Sequence, residues 1–170
     1  MPDELIIDLI RHMKAKNTAK WTDDDFERPL NKLGRRQAEV HANAMAEGDP
    51  IVAVYSSPAL RCRETVRPLT ERLDLPLLIE PMLGEMPRLL PRGAENPLLS
   101  VLREAHPDGG RVVVCSHADT IPAFLHSLGA ARDDDLPVQL KGFGGWYRVR
   151  VTGIDVSIER FEPPAGFPRD

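Results

Sequence analysis

Cysteine, basic charge and long apolar runs are all scarce in this chain, and each scarcity removes a class of function. There are two cysteines, Cys62 and Cys115, without paired metal spacing, which makes neither a disulfide framework nor a zinc site. A cysteine phosphatase needs an arginine six positions after its thiol; at that distance stand Pro68 after Cys62 and Ile121 after Cys115. Net charge is −4, so general binding to nucleic acid or an acidic membrane is not expected, and any anion site must be a local gathering of arginines. No apolar run approaches the roughly 20 residues of a membrane span. The opening MPDELIIDLIRH carries acids before its short apolar run and lacks a signal peptide's basic region, so a cytoplasmic location is expected. Glycine-rich nucleotide loops are missing, as is a Gly-x-Ser-x-Gly elbow around Ser56 and Ser57, whose expected role is helix capping.

What is present is the material of an ordinary globular domain. The 170 residues, 42% hydrophobic and 28% charged, suit a single domain spanning 1–170 with residues 162–170 as an exposed, proline-rich tail. Strand-like runs are expected at 5–10, 51–55, 75–80 and 111–116. Helices are expected from Asn31 as N-cap through Glu47, from Ser56-Ser57-Pro58 onward, from Asn96-Pro97 to about Glu104, and from Asp119 or Thr120 to Gly129. WYRVRV and IDVSIERFE alternate in polarity and flank Thr152-Gly153, the pattern of a terminal hairpin. Alternation of strand and helix through residue 129 predicts an α/β fold: a three-layer sandwich around a mostly parallel sheet, finished by that hairpin.

Ligands of such sheets bind beyond the carboxyl ends of the strands. Three expected strand ends deliver a similar set: Arg11-His12, then SSPALR with Arg61, then Ser116-His117. Two arginines and two histidines converging there make an oxyanion site, with phosphate the first candidate, because the guanidinium fork matches phosphate oxygens and keeps its charge. Arg61 near a helix N-terminus gains from the backbone N–H groups beside it. Histidine, with an ordinary pKa of about 6.5, is unprotonated enough near neutrality to attack phosphorus and split hydrolysis into two displacements.

LIRHMKAKN, DDDFERPLNKLGRRQA, YSSPALRCRET and VVVCSHADTI follow one another in this order. Together they resemble the histidine phosphatase superfamily, the phosphoglycerate-mutase-like fold, and among its branches the small SixA-type phosphohistidine phosphatases, over residues 5–128. The resemblance implies a metal-independent and cofactor-independent phosphatase. His12 would be the nucleophile, Arg11 and Arg61 the phosphate-binding arginines, and His117 the second histidine that stabilises the transferred group. Arg28 matches a further phosphate-contacting position of the small members. Glu85, in Leu83-Gly84-Glu85, matches the acid that protonates the leaving group in several relatives, with Asp119 the alternative. Met13 departs from the small residue usual after Arg-His and is expected to narrow or reshape the site.

Each residue also has a plainer reading. Arg28 could pair with Asp23, Asp24 or Asp25; Glu85 could be a solvated loop residue; His41, His106 and His126 have no motif context. The expected substrate is a phosphohistidine on a protein partner or, alternatively, a small phosphate ester. A non-catalytic phosphate- or phosphoprotein-binding module is the reading from another class, and His12→Ala distinguishes it from an enzyme.

Overall fold

The computed structural model describes residues 3–84, 96–128 and 142–170. The apolar runs become strands β1 (Leu5–Arg11), β2 (Ile51–Ser56), β3 (Leu77–Ile79) and β4 (Gly110–Ser116), and the alternating tail becomes β5 (Trp146–Thr152) and β6 (Asp155–Phe161). Helices α1 (Lys32–Met45), α2 (Leu60–Leu73), α3 (Pro97–Ala105) and α4 (Thr120–Ser127) fill the intervals. All six strands join one sheet in the order β3-β2-β4-β1-β5-β6. Its first four strands run parallel and the terminal hairpin adds antiparallel to β1, so the expected architecture is the observed one.

The period-2 geometry of a strand divides the core in two. Leu5, Ile7, Leu9, Val112 and Val114 face α3 and α4, packing with Leu98, Leu102, Phe124 and Leu125. Ile10, Val54, Val113 and Cys115 face the opposite layer, packing with Ala42, Met45, Val66 and Leu69 of α1 and α2. That makes helix, sheet and helix the three layers. Burial of each large aliphatic side chain contributes about 1.5–3 kcal/mol, which is why continuous runs such as RVVVC sit in the middle of the sheet.

β1 breaks its apolar run with Asp8, which is fully buried on the α1/α2 face. The carboxylate accepts from Arg111 Nε at 2.8 Å and from Arg148 Nε at 2.7 Å, joining β4, β1 and β5.

Two expectations are amended. Residues 162–170 are largely exposed, as expected, except at one anchor: Phe167 is buried with Met13, Leu30 and Ala38, and the Pro168 carbonyl accepts from Gln37 Nε2 at 3.0 Å. A bulky apolar ring holds the proline-rich end down because the rear of α1 offers it an apolar seat. Met13 does not narrow the site. It is fully buried in that same cluster, so the side chain that follows Arg-His points into the protein rather than toward ligand. Gly129, the expected end of α4, lies outside the described residues.

Candidate active site

The parallel order β2-β4-β1 brings three strand ends side by side, with Arg11 in register with Ser116 and Ser56 with Cys115. His12 follows β1, its backbone N–H donating to the Ser116 carbonyl at 3.0 Å. Met13 N–H donates to Thr65 Oγ1 at 2.9 Å, tying this chain end to α2. The Gly-x-x-Gln spacing on α1 serves the same segment. A Cβ on Gly34 would stand 1.9 Å from the Lys14 carbonyl oxygen, so only glycine fits there. Gln37 Oε1 accepts from Lys14 N–H at 3.1 Å. The backbone bearing His12 is therefore fixed from both helices.

His12 Nδ1 lies 2.7 Å from the Met13 carbonyl. A carbonyl only accepts, so Nδ1 carries the hydrogen and the Nε2 lone pair is the free nitrogen of the ring. The His12 and His117 rings meet edge-on with centroids 5.5 Å apart. His117 Nε2 is 2.9 Å from Ser57 Oγ, and its Nδ1 has a long 3.5 Å contact with Arg61 Nη2. Since arginine only donates, Nδ1 is an acceptor and Nε2–H donates to the serine. Ser57 also receives Ala59 N–H at 3.2 Å, whereas α2 begins without a side-chain cap. The capping role expected of the serines is thus replaced, for Ser57, by contact with His117.

Arg61, in the first turn of α2, is 8% exposed, and its Nε is buried without a partner among the described residues. Its Nη1 donates to the Asp25 carbonyl at 2.8 Å, and Nη2 lies 3.0 Å from Asp25 Oδ2. Arg28 reaches the same carboxylate, with Nε 2.9 Å from Asp25 Oδ1, and its Nη1 donates to the Lys16 carbonyl at 2.9 Å. Arg11 donates to the Gly142 carbonyl at 3.1 Å and lies over the Phe143 ring, 4.4 Å from its centroid. Phe143 also stands 6.4 Å from the His12 ring, an aromatic neighbour that no motif signalled. The structure therefore brings together Arg11, His12, Arg61, His117 and, through Asp25, Arg28. Asp119 is the N-cap residue of α4; burial lowers the Arg11 pKa, and the neighbouring Asp119 charge partly offsets that. Glu85 lies outside the described residues.

Burial, opposed by the Met13 hydrogen bond and reinforced by His117, Arg11 and Arg61, lowers the His12 pKa from 6.5 to about 3. His41 of α1 is similarly lowered to about 4 by burial, although its Nε2 has the Gly144 carbonyl as partner at 3.0 Å. Both rings are neutral when folded and titrate near 6.5 when unfolded, so between these limits the unfolded chain binds more protons. Their stabilising contribution is whole above about pH 6.5 and declines as pH falls toward about 4. Each imidazole is expected to cost about 2 kcal/mol between pH 7 and 5. Urea midpoints at the two pH values measure it. His41→Gln should reduce the drop by about 2 kcal/mol, and an unchanged drop would refute the assignment.

Residues 7–88 match the family model of the histidine phosphatase superfamily, branch 1. An 8-oxo-(d)GTP phosphatase of Mycolicibacterium smegmatis is 32% identical over 119 residues, covering 69% of this chain. The chain spans 35% of that curated relative's length. Among solved structures, the protein histidine phosphatase SixA complexed with tungstate superposes with a TM-score of 0.68 at 20% identity, covering 94% of this chain and 97% of that one. A mycobacterial glucosyl-3-phosphoglycerate phosphatase with inorganic phosphate gives 0.69 at 17% identity, covering 96% and 97%. With the Arg-His strand end, the α2 arginine and the Ser-His strand end assembled on this sheet, the chain resembles the histidine phosphatase superfamily both in the residues matched and in its fold.

Proposed function

We propose that the protein is a metal-independent phosphatase working through a phosphohistidine on His12. The observation that carries this reading is a neutral His12 whose Nδ1 is tied to the Met13 carbonyl, leaving Nε2 unprotonated, in contact with the His117 ring and under the charge of Arg11 and Arg61. Nε2 attacks phosphorus in line with the leaving group; water then attacks the phosphohistidine, releasing phosphate and regenerating the imidazole. Arg11, Arg61 and Arg28 take the phosphoryl oxygens, each charged hydrogen bond contributing about 1.5–3 kcal/mol. His117, one phosphoryl width from His12 by ring spacing, stabilises the charge that builds on those oxygens. Glu85 is the proposed proton donor to an alkoxide leaving group, and Asp119 the alternative. An imidazole leaving group makes less demand on either.

The favoured substrate is a phosphohistidine on a protein partner. Supporting it is the SixA-like fold. A small phosphate ester is the second reading, favoured by the 32% identity with a relative named for a nucleotide substrate. A panel of phosphohistidine proteins, nucleotides and sugar phosphates, compared by kcat/KM with and without chelator, tests both. Turnover of an aryl phosphate unaffected by chelator is the expected baseline. Turnover that needs added metal would refute the proposed chemistry, and a nucleotide preferred over every phosphohistidine protein would move the substrate to the second reading.

A further inference from the structure

The expected anion site already holds an anion of its own. Asp25, on a short 3-10 turn over Asp25–Glu27, sets one carboxylate oxygen 3.0 Å from Arg61 Nη2 and the other 2.9 Å from Arg28 Nε. The side chain is 55% exposed, so this carboxylate approaches the guanidinium groups from the solvent side. The Arg28 hydrogen bond, with a smaller contribution from Arg61 and against the opposing effect of partial burial, lowers its pKa below the ordinary carboxylate value, so it is charged at neutral pH.

A carboxylate between two arginines usually positions them, but here backbone carbonyls do that work. Arg61 Nη1 is held by the Asp25 carbonyl and Arg28 Nη1 by that of Lys16. Both anchors survive removal of the Asp25 side-chain charge. What the carboxylate adds is one negative charge, spread over the two cations that a phosphoryl group must also engage.

We propose that Asp25 is an internal counter-anion that sets the phosphate affinity of the site, competing with phosphoryl oxygens for Arg61 and Arg28 and thereby favouring release of product. This rests on the reading of the Arg-His cluster as a phosphoryl site. An incoming dianion displaces the carboxylate, whose exposure lets it turn outward into water. When phosphate leaves, the same carboxylate returns to both guanidinium groups. The cost of displacing it falls equally on substrate, transition state and product. Its removal therefore lowers KM and the phosphate inhibition constant together, and lowers kcat where release limits turnover.

Inorganic phosphate binding, measured by titration calorimetry at pH 7 on the wild-type protein, Asp25→Asn and Asp25→Glu, is the test. Asp25→Asn keeps the shape and the backbone anchors and should bind phosphate about tenfold more tightly, a change equivalent to 1.4 kcal/mol. Asp25→Glu restores a charge and should return affinity toward the wild-type value. In aryl phosphate turnover, KM of the Asn variant should fall with the phosphate inhibition constant. Unchanged or weaker phosphate binding by a folded Asp25→Asn protein overturns the proposal, since a purely positioning carboxylate predicts weakening. Equal tightening by the Glu variant overturns it too. The calorimetric readout needs no turnover, so a failure of the phosphatase reading, seen as an aryl phosphate left intact, is separate from a failure here.

Discussion

Replacing His12 with asparagine or alanine is expected to lower aryl phosphate turnover by at least about 10⁴-fold, the scale seen when a nucleophile is removed from a preorganised site. Asparagine is the sharper variant. Its amide N–H can follow Nδ1–H in donating to the Met13 carbonyl, while offering no lone pair in place of Nε2. Folding should be retained, because losing a buried neutral imidazole removes no paired charge. A rapid quench of the wild-type protein should trap phosphate that is lost in acid and retained in alkali, and the His12 variants should trap none. Near-normal turnover by either folded variant would end the phosphohistidine mechanism. Loss of turnover together with loss of the far-UV helix signal would instead mean that the ring is needed to hold β1 to α2.

The second large effect concerns folding. Asp8→Ala should cost about 3–5 kcal/mol, because it leaves the Arg111 charge buried without its counter-charge. Arg111 is 3% exposed and spends its other donors on the Glu47 and Asp49 carbonyls, each at 2.9 Å. It has nowhere to turn. Arg148 has a way out, since its side chain is 15% exposed and lies over the Phe161 ring, 4.9 Å from its centroid. Arg148→Met should therefore cost less than Asp8→Ala. Against a typical total of about 5–15 kcal/mol, the aspartate loss brings a domain close to unfolding at ordinary temperature. Urea denaturation at pH 7 measures both variants; a loss under about 1 kcal/mol for Asp8→Ala would show that water or rearrangement reaches Arg111.

Local chemistry explains why much of this molecule is readable in one dimension. LIIDLIR and GRVVVCS are continuous enough to need burial on both faces, and a parallel sheet is the structure that gives it. Arg-His, Ser-Ser with Arg61, and Ser-His each follow such a run, so a shared sheet must bring them to one edge. The spacing of Gly34 and Gln37 was visible as part of a motif, but its reason was not. It needed Lys14, distant in the chain, to lie against α1. Three adjacent aspartates could each have paired Arg28, and the turn geometry selects Asp25 while Asp24 caps the turn by accepting from Phe26 N–H at 3.0 Å. Ser57 read as a cap because its partner, His117, is sixty residues away.

The amino-acid order by itself determined the alternation of strands and helices, the terminal hairpin and the arginine-histidine set at the strand ends. Those follow from periodicity and residue type, which act over a few neighbours. The tertiary structure alone decided which nitrogen of His12 is free, which way Met13 points, that Phe167 fastens the chain's end, and that one carboxylate spans Arg61 and Arg28. Each depends on atoms from distant segments meeting within hydrogen-bond or van der Waals range. Direction, burial and charge pairing are properties of that meeting rather than of any residue.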